Sequence, residues 1–218
     1  MNLLEQPVGR LALDLPGATR VFHQNRIDFC CGGRLSLQAA AEQVGANLTA
    51  LVTALEALPA GNPDQRDWQS ASNDELIDHI LTRYHDVHRQ QLPELIRMAR
   101  RVEQVHGERD TCPNGLADLL SVIFQEMESH MQKEEQILFP MLRSGMAAQA
   151  QGPITVMRQE HDDHGKNLDE VMALTDNITP PKGACTTWRA LYTGLTEFRE
   201  DLMQHIHLEN NLLFERAG

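Results

Sequence analysis

The sequence predicts an all-α protein: an antiparallel four-helix bundle preceded by a small helical N-terminal domain. Two observations predict the class, and a third says what the bundle holds. Of 218 residues, 41% are hydrophobic and only 5% aromatic, with many Leu, Ala, Gln, Glu and Met, which favour helix. Apolar residues then recur at steps of three and four through four long stretches, each bounded by Pro or Gly. Finally, histidines and glutamates fall inside those apolar stripes, where a soluble bundle ordinarily places Leu or Ile.

The N-terminal domain, residues 1–60, carries three helical patterns, at about 16–25, 36–45 and 48–58. A turn-rich break, Asp28-Phe29-Cys30-Cys31-Gly32-Gly33, separates the first two. So short a region is expected to lack a large core of its own and to pack on the rest of the chain or on a partner. A loop-like stretch, Pro59 to Arg66, opens the linker assigned to residues 61–71. The bundle follows at 72–218. Its first helix opens on a capping box, Ser72 to Glu75, and runs to about Val105 with a kink expected at Pro93. The second starts after Pro113-Asn114-Gly115 and runs to about Arg143, the third runs from Pro153 to about Thr175, and the fourth from Thr186 or Thr187 to about Phe214. Short breaks between long amphipathic helices imply antiparallel neighbours.

The bulk charge excludes several roles. A formal net charge of −12 disfavours binding to a phosphate backbone. Glu5, Arg10 and Asp14 interrupt any N-terminal signal sequence, and no apolar run approaches the ~20 residues of a membrane span. Four cysteines do not suggest a disulfide framework, so the expected location is the cytoplasm.

The stripe of the second helix reads Leu116, Leu120, Ile123, Met127, His130, Glu134, Ile137, Met141. That of the fourth reads Trp188, Leu191, Leu195, Phe198, Leu202, His205, Glu209, Leu212. Both contain His-x-x-x-Glu, and residues at i and i+4 project from one helix face. The first helix adds His85 and His88 beside Tyr84 and Leu92, and the third adds His161 and His164 between Met157 and Leu168. One histidine on an apolar face is usually a hydrogen-bonded core residue. Unpaired charges buried on four helices would cost several kcal/mol each, about enough to unfold a domain. A bound cation removes that cost, because carboxylate and neutral imidazole are its natural ligands. Spacing alone leaves the choices between His85 and His88, and between His161 and His164, open. His106 stands 21 residues beyond His85, about 32 Å along a continuous helix, and is left out. His23 and His207 read as surface or local packing residues.

No cysteine lies in the stripes, which argues against a structural zinc site or a cysteine-ligated cluster there. A ferritin-like centre needs Glu-x-x-His on two helices, and only Glu103 to His106 has that form. What remains is similar to a hemerythrin-like bundle. Together with Asp28 to Gly33, the strings Arg83-Tyr84-His85, Ser129 to Pro140, Glu160-His161-Asp162 and His205 to Asn211 resemble the repair-of-iron-centres family along essentially the whole chain. The resemblance implies two carboxylate-bridged non-haem iron ions, with His85, His130, His161 and His205 as terminal ligands and Glu134 and Glu209 as bridges. Oxygen-carrying hemerythrins place a further histidine one turn after the third-helix ligand, where this chain has Gly165. One iron is thus expected to keep room for an exogenous ligand, nitric oxide or oxygen.

The functional reading of Cys30 and Cys31 is a redox or metal-handling pair presented by Gly32 and Gly33; the bland one is two small residues in a tight turn. The family resemblance implies a cytoplasmic stress protein that supports repair of damaged iron–sulfur proteins, with nitric oxide reduction to nitrous oxide at the metals. Iron donation without turnover and gas sensing are the alternatives. It leaves the oligomeric state open, a homodimer included.

Overall fold

The computed structural model describes residues 2–58 and 67–217, so the expected loop at 59–66 lies outside the described residues. Among them, regular structure is helical, apart from an isolated antiparallel bridge between Pro7 and Ser36. No helix among them is long and apolar enough to cross a membrane. The chain divides into two compact units. One is Ile77–Leu202; the other joins the residues before Ile77 to those from Met203 onward.

The Ile77–Leu202 unit is the bundle. Helix α5 (Asn73–Ile80) leads into a π-helical turn, Leu81–His85, and then α6 (Asp86–His106). The capping box forms as expected: Ser72 N donates to Glu75 Oε2 at 3.0 Å and Glu75 N to Ser72 Oγ at 3.3 Å. Pro93 lies inside α6. Helix α7 (Leu116–Lys133) starts from Gly115 at φ 93°, a left-handed conformation that suits glycine. It passes through a second π turn, Glu134–Leu138, into α8 (Phe139–Arg143). Helix α9 (Gln151–Leu174) and helix α10 (Thr186–Leu208) complete the set.

Cross-links fix the directions. Helix α6 and the π turn before it meet the second helical rod at His85–Glu135, Arg89–Glu128 and Glu103–Ala117, so sequence numbers rise on one as they fall on the other. The same inverse order holds for α7 against α9 (Glu126–Asn167, His130–His161) and for the first rod against α10 (Arg83–Asp201, Gln91–Gly194, His106–Cys185). The helices are antiparallel. At Gly194 a Cβ would come 2.7 Å from Leu95 Cδ2, so glycine there permits α10 to approach α6 closely.

One stripe needs correction. Ile137 is 52% exposed, while Leu138, Phe139 and Leu142 are buried. The π turn at Glu134–Leu138 closes its hydrogen bonds over five residues instead of four, so everything beyond it is rotated from the 3.6-residue register.

The other unit has a core that the sequence reading did not expect. Helices α1 (Val8–Asp14), α2 (Ala18–Gln24), α3 (Leu37–Val44) and α4 (Leu48–Glu56) enclose Leu11, Phe22, Ile27, Phe29, Leu37 and Leu51, all essentially without exposure. Met203, from the far end of the chain, packs against this cluster. Helix α1, absent from the predicted elements, has no side-chain cap. Its first donors, Val8 N and Gly9 N, are instead bound at 2.9 Å by the carbonyls of Leu35 and Gly33.

Candidate metal centre

Within the bundle unit the structure brings together His85, His130, Glu134 and His161, all buried. They arrive from the stripes of three helical rods, His130 and Glu134 sharing one. Glu134 Oε2 lies 3.4 Å from His85 Nε2 and 3.4 Å from His130 Nε2, so one carboxylate oxygen faces imidazoles from two rods. His161 Nε2 stands 3.1 Å from His130 Nε2. One ligand atom each from His130, Glu134 and His161 fits within 4.8 Å.

The outer ring nitrogens reveal which inner atoms are acceptors. His85 Nδ1 contacts Glu135 Oε1 at 2.8 Å, and His130 Nδ1 contacts Glu160 Oε2 at 2.9 Å. A carboxylate accepts, so both Nδ1 atoms carry a proton, and in the neutral rings that bind cations both Nε2 atoms turn a lone pair inward. Two or more nitrogen lone pairs beside a fully buried carboxylate repel one another unless a cation sits among them. The donor set therefore fits a hard or borderline metal ion, and the carboxylate–histidine arrangement is the one that orients metal-bound imidazoles.

Glu135 and Glu160 were not singled out by sequence, since each occupies a half-buried position beside the stripe. Both are held as carboxylates. For Glu160 the hydrogen bond from His130 leads, burial opposes it, and Lys133 adds to it, bringing the carboxyl down to about 2. Burial opposes ionisation of Glu135 most, yet hydrogen bonds from Arg89 and His85 still keep it below the ordinary carboxylate value. Arg89 in turn donates to Glu128 at 2.8 Å.

His88 and His164, the alternatives left open by spacing, are also buried. His88 meets the edge of Phe198 and His164 the ring of His130, at centroid distances of 5.6 and 5.0 Å. His106 lies against Trp188 and 3.3 Å from Cys185 Sγ. At Gly165 a Cβ would meet nothing within 4 Å.

In the other unit, His205 Nε2 is 3.1 Å from Glu209 Oε1, both side chains buried. Glu209 opens a third π turn, Glu209–Leu213, as Glu134 opens the second. His85, Glu134 and Glu209 each stand at a π turn; such turns re-aim side chains at functional sites.

The same unit builds the cysteine loop against the end of the last helix. Asp28 Oδ1 accepts from Cys30 N at 3.0 Å and Cys31 N at 2.9 Å, and Oδ2 from Gly32 N at 2.9 Å. No disulfide joins Cys30 and Cys31, whose sulfurs stand 3.8 Å apart. The Cys31 hydrogen bond, then burial, then the charges of Cys31 and Asp28 push the Cys30 thiol well above its ordinary pKa, so it rests as neutral SH. Gly32 cannot carry a Cβ, which would fall 2.8 Å from Asp28 O; one on Gly33 would fall 2.2 Å from Asn211 Oδ1. Asn211 Nδ2 lies 3.2 Å from Phe29 O, 3.0 Å from Cys30 O and 3.1 Å from His207 Nδ1, and Asn210 Nδ2 donates to Cys30 O at 3.3 Å. His207 is fully buried edge-on to Phe29, and burial pushes its pKa down to about 4, leaving a neutral ring.

Residues 76–217 match the Hemerythrin HHE cation binding domain, and residues 4–59 match ScdA_N, a domain of unknown function. The chain is 55% identical over 217 residues to the iron-sulfur cluster repair protein YtfE of Yersinia pestis (strain Pestoides F), covering 100% of this chain and 98% of that one. It has the same identity and coverage with YtfE of Yersinia pseudotuberculosis serotype O:1b (strain IP 31758). Fold and site thus define a hemerythrin-like, cation-binding bundle with a small helical domain before it. Within that class, the chain belongs to the family of the YtfE iron-sulfur cluster repair proteins.

Proposed function

We propose that this protein holds two iron ions, with His85, His130, His161 and His205 as terminal ligands and Glu134 and Glu209 as bridges, and that it supports repair of iron–sulfur clusters damaged by nitrosative or oxidative stress. The observation that carries the reading is Glu134 Oε2, buried and equidistant at 3.4 Å from two inward-facing imidazoles. His205 and Glu209 join the set because they form the same His-x-x-x-Glu pair at the same kind of π turn. The iron-sulfur cluster repair proteins to which the chain is related support the client class.

The finer proposal is nitric oxide reduction. Held by these residues, two ferrous ions would supply the two electrons needed to convert two nitric oxide molecules and two protons into nitrous oxide and water. The chain's part is positional. Glu135 and Glu160 fix the ring orientation of His85 and His130, and the buried ring of Phe139, stacked on His85, helps keep bulk water out of the cluster. Gly165, with open space where a further histidine would start, supports one coordination position kept for the small ligand.

Anaerobic diferrous protein mixed with nitric oxide in a single turnover is expected to yield about one nitrous oxide per two irons, from the electron count above. No nitrous oxide would remove the reductase proposal while leaving the metal centre standing. Repair is equally served by iron donation, and labelled iron that stays on the protein in the presence of an acceptor apo-protein would remove that second reading.

A further inference from the structure

The cysteine loop is more completely built than a tight turn requires. Asp28 gathers three backbone N–H groups and so fixes the path from Cys30 to Gly32. Asn210 and Asn211 hold the Cys30 carbonyl from the other side. Within this frame three soft and hard donors converge. Cys30 Sγ is 3.1 Å from Asp28 Oδ1 and 3.8 Å from Cys31 Sγ, and one ligand atom from each of the three residues fits within 4.8 Å.

We propose that Asp28, Cys30 and Cys31 form a second cation site, separate from the imidazole–carboxylate cluster, which takes one thiophilic divalent ion such as Fe²⁺, Zn²⁺ or Co²⁺ through two thiolates and one carboxylate oxygen. The sulfur spacing supports it. Two metal–sulfur bonds of about 2.3 Å meeting at a tetrahedral angle put their sulfurs about 3.8 Å apart, the separation already present. The donor set selects the class of ion. Calcium and magnesium call for six or more oxygens, and one carboxylate does not provide them. Soft monovalent ions have no use for the carboxylate, whereas borderline divalent ions take both donor types. Binding exchanges two thiol protons for the cation, both leaving to solvent, and the cation takes the place of the Cys30 S–H···Oδ1 hydrogen bond. Cys30 is buried, Cys31 half-buried and Asp28 exposed, so the loop has an apolar floor and an open mouth for loading. Three protein ligands leave a fourth tetrahedral position for water or a client's thiol. Because the two asparagines that grip Cys30 directly follow Glu209, the site is tied by three residues of chain to a ligand of the proposed iron centre.

Anaerobic titration of the iron-loaded full chain with Co²⁺ tests this, because thiolate-to-cobalt charge transfer absorbs in the near ultraviolet and the imidazole–carboxylate cluster contains no sulfur. The expected result is a thiolate band that saturates at about one cobalt per chain with the iron content unchanged. The band is expected to vanish in Cys30→Ser/Cys31→Ser, to survive in Cys112→Ser/Cys185→Ser, and to need at least tenfold more cobalt in Asp28→Asn. A wild-type chain with no thiolate band, or a band that persists in the Cys30→Ser/Cys31→Ser variant, overturns the site; unchanged affinity in Asp28→Asn overturns the carboxylate ligand. Iron content read in the same samples separates failure of this site from failure of the proposed iron centre.

Discussion

Glu134 has no exposed surface, and its two histidine neighbours turn Nε2 atoms towards its carboxylate at 3.4 Å. Its place was legible in the sequence, because a four-residue step from His130 keeps both on one face. Glu135 and Glu160 were not legible. Both sit one position off a proposed ligand, as an ordinary solvent-side glutamate would, and only the neighbouring rod turns them into partners of His85 and His130. Replacing either by Gln removes the acceptor that fixes the tautomer, and iron affinity is expected to fall about 10–100-fold in each variant, read by competition with a chelator. Unchanged affinity would mean that these carboxylates are surface salt bridges. Gly165→His adds an imidazole where space is open. The expected outcome is retention of two irons with at least a tenfold drop in the rate of nitrous oxide formation, on the order of 1.4 kcal/mol in barrier height.

At the scale of helices, boundaries were read well wherever a cap or breaker marks them, as at Ser72, Gly115 and Thr186. Periodicity failed at the π turns, because a 3.6-residue template has no signal for one inserted residue. It put Ile137 in the core; the structure puts Leu138 there. Leu138→Ala is expected to cost about 2–5 kcal/mol of unfolding free energy, and Ile137→Ala to stay within about 0.5 kcal/mol, measured by denaturant titration of the two variants. The reverse order would mean that the helix keeps a regular register through Glu134. Helix α1 escaped prediction for a related reason: its capping carbonyls come from Gly33 and Leu35, outside any local window.

For the whole chain, the helical bundle and the burial of histidines and glutamates in its stripes followed from spacing, and the family resemblance chose the proposed ligands among histidines that spacing could not separate. The core of the N-terminal residues did not follow, since part of what completes it lies about 180 positions later. Asn211 bonds to Phe29 and Cys30 across a sequence separation of 182 and 181 residues. Gly33→Ala is expected to destabilise this unit by about 1–3 kcal/mol, as overpacking does, and to cost clearly less in an Asn211→Ala background, where the clashing oxygen is gone. Additive effects in that cycle would show that Gly33 is needed for some other reason. Removing the metal leaves lone pairs facing a buried carboxylate, so the apo-protein is expected to melt roughly 5–10 °C below the loaded form in calorimetry.

The central claim is that two His-x-x-x-Glu helices and two histidine helices hold a pair of irons. Metal analysis with Mössbauer spectroscopy on anaerobically purified protein tests it most directly. The expected result is about two irons per chain, magnetically coupled after oxidation, with the coupling lost in Glu134→Ala. A single uncoupled iron, or iron loading indifferent to Glu134, would contradict it.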